Sequence, residues 1–123
     1  PSIAAMAATN AEEKDIKKIT ALCDEVEELL RKHEDHTQKD IDFHAAIALS
    51  SKNVVVPRLV PVINSSIPLF VETTRGTLLE ETIETHREIA DAIAAHSTLG
   101  TIQVVHIHLT VCNVRRLNQN QSV

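Results

Sequence analysis

An all-α fold is predicted by three features of the sequence. Apolar residues recur at steps of three and four in three separate stretches, the spacing that lines one side of a helix. Glycine is scarce, with two residues in 123, which suits helices and argues against a chain of many tight turns. The hydrophobic fraction is 43 % but the aromatic fraction only 2 %, so the core has to be built from Leu, Ile, Val and Ala. A chain of this length makes one domain with one core, burying roughly two-thirds of the surface it exposes when unfolded.

The elements follow in order. Residues 1–8 read as the last two turns of a helix. Ile16, Ile19, Cys23, Val26 and Leu30 then form one apolar stripe on a helix whose other face is charged. Thr9 and Glu12 have capping-box spacing at its start, with Asn10 as a competing cap. A second start signal is Thr37 with Asp40 three residues later. The helix beginning there carries Phe43, Ala46, Ile47 and Leu49 inward and fades out over Ser50–Asn53. Val54 to about Thr74 is a longer apolar stretch in which Pro57 suits a first turn, while Pro61 and Pro68 are expected to kink or break a helix. From Leu78 to about Ala95 a further helix places Leu79, Ile83, His86, Ile89, Ala90 and Ile93 on one face.

The segment Thr101–Val111 is β-branched and partly alternating, and its composition alone reads as a strand. A lone strand at the end of a helical chain has no partner, so the segment is either a buried helix of poor helix formers or the sign of a mixed fold. After Val114 the sequence is polar and is expected to fray.

Charge excludes several functions. The formal net charge is −5, without the basic face that phosphate binding demands. Between Glu12 and Asp42 lie 6 basic and 11 acidic residues, a solvated acidic helix surface. No apolar run reaches eighteen residues and no secretory leader pattern is present, which points to the cytoplasm and away from a membrane. Cys23 and Cys112 have no metal-type spacing and read as small core residues of a reducing compartment.

Seven histidines carry the chemistry. His33 and His36 flank Glu34–Asp35 at a helix–helix connection and read as an exposed polar turn. His96 falls near a helix C-terminus, where an imidazole is favourable against the dipole. Asp40 and His44 differ: four residues apart on a helix, they project from one face at a spacing that lets two side chains share a metal ion, although a local ion pair uses the same spacing. His86 stands inside the apolar stripe of its own helix, so its ring must satisfy two nitrogens indoors, either by a metal and an acceptor or by neighbouring side chains. His106 or His108 offers a fourth ligand; on a helix only one of them points inward. Oxygen and nitrogen ligands without thiolate suit Zn²⁺ first, with Ni²⁺, Mn²⁺ or Fe²⁺ as alternatives.

At this set of residues the chain resembles the FCD-type effector domain of FadR-subfamily GntR transcription regulators, in its metal-binding form. Asp40-Ile-Asp-Phe-His44, with Ala45–Ser50 and Asn53, is similar to that family's D-x-x-F-H-x-x-(I/L)…S-x-N stretch. Thr85-His86-Arg-Glu-Ile-Ala-Asp-Ala-Ile93 resembles its E-H-x-x-I-x-x-A-I helix, and His108-Leu109 occupies the place of its last metal-binding histidine. Ile3–Ala8 with Asn10-Ala11 looks like its A-x-x-A-A…A-T helix end. The family usually has Gly-Asp and an Ala- and Arg-rich helix where this chain has His96–Val105.

The resemblance implies an antiparallel bundle of about six helices around a central metal and ligand cavity, residues 1–114 forming the effector-binding domain and 115–123 a polar tail. It implies that the last apolar segment is helical. It also implies one divalent ion held by Asp40, His44, His86 and His108, a small organic or sugar acid as effector, and a homodimer. DNA would be bound only through a winged-helix domain preceding this one and absent from the chain. Asn64, Ser65 and Arg75, with Ser66 and Thr73, are the polar candidates for effector contacts. No enzymatic activity is expected, since HExxH-type spacing and a general base beside the histidines are both missing. A metal-dependent hydrolase and a metal-free helical scaffold are the alternatives.

Overall fold

The computed structural model describes residues 3–55, 58, 60–73 and 79–97. Five α-helices and no strand occur among them: α1 (Ile3–Asn10), α2 (Glu13–Arg31), α3 (Thr37–Ser50), α4 (Val60–Thr73) and α5 (Leu79–Ala94). The segment 101–111, whose helical or extended character the sequence leaves open, and the tail 115–123 lie outside the described residues. No described helix is long and apolar enough to cross a membrane.

Helix α3 is the hub. It packs against α1, α2 and α4, while α5 packs against α1 and α2. The expected stripe of α2 is the one that goes inward: Ile19, Cys23, Val26 and Leu30 are buried, joined by Leu22, and Ile16 packs half-buried at the edge. They meet Phe43, Ala46 and Ile47 of α3 and Ile83, Ile89, Ala90 and Ile93 of α5. From α1 the core receives Ala5, Ala7 and Ala8, with Ala4 at its edge and Ala11 just beyond the helix; side chains this small let its backbone ride directly on its neighbours. Burial of Cys23 pushes its thiol up to about 11, as suits a core residue rather than a reactive one.

Several local expectations are corrected. Helix α1 continues through Thr9 and Asn10, so neither caps α2. The Thr9 hydroxyl donates to the Ala5 carbonyl 3.2 Å away, one turn back. Glu12 is the N-cap of α2 and its backbone N–H donates to Asp15 Oδ2 at 2.9 Å; acidic Glu13 and Asp15 also complement the helix dipole there. At α3 the cap is His36, with the Thr37 N–H donating to Asp35 Oδ1 at 3.0 Å, which leaves Asp40 free for another use. Leu49 points outward at 51 % exposure, because its position lies opposite the Phe43–Ala46–Ile47 stripe. Pro61 does not break α4: it falls in the first turn, where a missing N–H costs nothing. Pro68 lies inside α4, which continues past it to Thr73.

With glycine so rare, helices end on other residues in the left-handed region. His33 (φ 54°), Lys52 (φ 57°) and His96 (φ 54°) follow the C-caps of α2, α3 and α5. After α2 the N–H groups of His33 and Glu34 donate to Leu30 and Leu29 carbonyls at 3.1 and 2.9 Å, and after α5 those of His96 and Ser97 donate to Ile93 and Ala92 at 3.0 and 2.8 Å. This is the Schellman pattern, which satisfies the last free carbonyls. His33 and His96 thus serve as helix stops.

Ion pairs fasten α2 to the other helices. Arg87 Nη2 donates to Asp24 Oδ1 at 2.6 Å and to Glu27 Oε2 at 2.8 Å; Glu27 first, then Asp24, hold the guanidinium proton more firmly than usual. Lys52 reaches Asp15 at 2.7 Å, and this contact holds the Asp15 carboxyl below its ordinary value against the opposing effect of burial. A depressed carboxyl contributes stability above its unfolded pKa of about 3.9 and loses it as pH falls through the lower folded value. Asp15→Asn should therefore lower Tm slightly at pH 7 and leave it unchanged well below pH 3.9; an equal deficit at both pH values would show that the contact contributes nothing through charge.

Candidate metal centre

Asp40 and His44 lie one turn apart on the face of α3 that looks toward α5, and His86 comes from the middle of α5. Asp40 Oδ1 is 3.1 Å from His44 Nε2 and 3.3 Å from His86 Nε2. The Asp40 side chain is 2 % exposed and that of His86 5 %, whereas His44 is 33 % exposed, so the cluster is buried on one side and open at His44. One ligand atom from each of the three residues lies within 4.8 Å of the others.

Phe43 sets the rings. It is fully buried, and its ring stands edge-on to His44 with centroids 5.4 Å apart and tilted against His86 at 4.7 Å. Phe43 stands in the D-x-x-F-H motif, but its contact with His86 crosses between helices and is not legible from that local pattern.

A carboxylate this deep is costly unless it is paired. Burial pushes the Asp40 carboxyl up, but contact with His44 and the fields of His44, His86 and His36 together outweigh it, and the net direction is down. Asp40 is thus a carboxylate with nitrogen donors gathered around it. Its Oδ1 has no hydrogen bond of good geometry even though two imidazole nitrogens approach it. That arrangement fits a cation. Ligand atoms roughly 2.0–2.1 Å from a tetrahedral ion stand about 3.3 Å apart, close to the two separations found here. The donor set of one carboxylate and two imidazoles suits a borderline divalent ion.

The remaining candidates among the described residues fall elsewhere. Asn64 and Ser65 stand exposed on α4, and the Ser65 hydroxyl turns back to the Pro61 and Val62 carbonyls, both at 3.1 Å. Arg75, His106 and His108 lie outside the described residues. Asp42 accepts from Gln38 Nε2 at 2.9 Å and Glu88 is exposed, so neither joins the cluster as a general base. His33 is exposed at the end of α2. His96 lies just past α5 with Nδ1 2.8 Å from the Ala8 carbonyl.

The model of the FCD domain family matches residues 1–111, which include all three cluster residues. The chain belongs to the FCD domain family. FCD domains of this type are the effector-binding regulatory domains of GntR-family regulators. No curated protein matches the chain. Within this FCD domain, Asp40, His44 and His86 are a group that could hold a metal ion.

Phe43→Ala should cost about 3–5 kcal/mol in chemical denaturation, the usual price of emptying a buried aromatic site. A loss below about 1 kcal/mol, a size typical of surface changes, would show that the ring is not a rigid support for the two imidazoles.

Proposed function

We propose that this domain senses a small carboxylate, an organic or sugar acid, bound beside a divalent ion. The reading rests above all on one observation: two imidazole nitrogens, one from α3 and one from α5, converge on a single buried carboxylate oxygen at 3.1 and 3.3 Å. Asp40, His44 and His86 are the proposed ligands, with Zn²⁺ the first choice of ion. His108 is proposed as the fourth ligand on the strength of the family motif, and Asn64, Ser65 and Arg75 as contacts to the far end of the effector. In the proposed architecture a sixth helix, from the last apolar segment, completes a bundle around a central cavity. Residues 1–114 form the domain, two copies pair, and DNA is reached through a separate winged-helix domain in the cytoplasm.

The chemistry follows from the ligand charges. A divalent ion held by one carboxylate and neutral imidazoles keeps net positive charge, and in a poorly hydrated site that charge favours a second carboxylate. Asp40 supplies the only anionic ligand in the described cluster, and its depressed pKa keeps it charged across the physiological range. His44, the most open of the three, stands where an effector would enter. Phe43 excludes water from behind the rings.

Protein purified without a tag is expected to hold about one divalent ion per chain, and acid should release it as the imidazoles take up protons. His86→Ala should lose most of the metal and melt lower, while His33→Ala should do neither. Full metal content in His86→Ala would remove it from the ligand set.

Small hydroxy- or dicarboxylates should raise the Tm of metal-loaded protein, as any ligand specific for the folded state must, and their neutral amides should do much less. The comparison is a thermal-shift panel on loaded, chelated and His44→Ala protein. Equal stabilisation of all three forms would mean that the ion plays no part in sensing.

A further inference from the structure

The two helices that share the cluster meet again at another place. At the C-terminal end of α3, the Ser51 carbonyl accepts from Asn10 Nδ2 at 2.8 Å. Beyond the C-terminal end of α5, His96 Nδ1 meets the Ala8 carbonyl, also at 2.8 Å. Both partners belong to the last turn of α1. The end of α1 is therefore a second bridge between α3 and α5, set about 10 Å along α3 from His44 and about 15 Å along α5 from His86 at 1.5 Å per residue.

The surroundings make this bridge sensitive to the separation of the two helices. Ala7 and Ala8 are fully buried and Ala5 nearly so, so the buried face of α1 meets its neighbours through backbone and methyl groups, which leave little room to absorb a shift. Packed helices move as rigid bodies, and close-packed contacts switch rather than stretch. The same corner is tied further by Asn53 Nδ2 to Met6 Sδ at 3.4 Å and by the Lys52–Asp15 pair at the first turn of α2. Only Ala11 and Glu12 separate α1 from α2.

We infer that the last turn of α1, gripped by Ser51 of α3 through Asn10 and by His96 beyond α5 through Ala8, is the element on which cation occupancy of the Asp40–His44–His86 cluster is read out. The inference rests on the proposed metal-dependent function. An ion held by Asp40, His44 and His86 fixes the α3–α5 spacing at one bridge, and the other bridge is steadied with it. By linkage, a change that loosens the α1 grip also weakens the cluster's hold on the ion.

The test is hydrogen exchange of the chain with Zn²⁺ and with chelator, beside an independent count of bound zinc. In the wild type, Zn²⁺ should slow exchange of the amides from Ala8 to Glu12 by about tenfold, within the usual range of coupling between sites. Asn10→Ala combined with His96→Ala should still bind zinc but lose that response; Asn10→Ala alone, a milder change, should lose part of it. One zinc bound with no change at α1 overturns the inference and leaves the metal reading intact. The full response persisting in the double variant overturns it as well. If no zinc binds, the metal reading itself is wrong and the inference goes with it.

Discussion

Asp40 carries a carboxylate into the interface between α3 and α5, and much of the architecture can be understood as answering that charge. Water cannot reach it, so positive charge or a cation has to. His44 comes from its own helix one turn later, which needs only helical geometry. His86 comes from another helix, which requires α5 to lie at a fixed distance and rotation against α3. Helices α2 and α1, each packed against both α3 and α5, supply that fixed placement. Phe43 does both jobs, filling the core and bracing the two rings.

Helix α2 closes the other side of this arrangement with two kinds of contact. Its buried stripe packs into the shared core, and its charged flank meets α5 through Arg87 and through the exposed Arg31–Glu80 pair. Arg87 lies next to His86 in sequence, so the helix that turns an imidazole inward turns a guanidinium outward to Asp24 and Glu27. The exposed pairs within α2 itself, such as Lys32 with Glu28, contribute little. The bridge between α2 and α5 is consistent with the rotation of α5 that turns His86 inward.

Helix ends do more here than stop helices. A chain nearly without glycine places His33, Lys52 and His96 in left-handed backbone, at some cost that the surrounding contacts outweigh. Lys52 and His96 use the resulting direction to reach Asp15 and the Ala8 carbonyl. The end of α3 is thereby joined to α2 and the end of α5 to α1.

The amphipathic stripes of α2, α3 and α5 were legible because helical periodicity is local: each residue's face follows from its distance to the next apolar one. The pairing of Asp40 with His44 was legible for the same reason, and an imidazole amid Ile83, Ile89 and Ala90 marked His86 as inward. Capping was misjudged at α2 and α3 because Thr9, Asn10 and Asp40 are used by other contacts, and a cap signal does not reveal competing partners. Leu49 is apolar yet exposed, and Pro61 is harmless, since hydrophobicity and helix breaking both depend on where the surrounding helix begins. The sequence by itself determined which side chains share a helix face. Only the tertiary structure decided that His86 reaches Asp40, that Phe43 braces both rings and that α1 is held by the ends of α3 and α5. Those contacts between helices join residues 41 to 88 positions apart, and their distances depend on helix packing rather than on any local spacing.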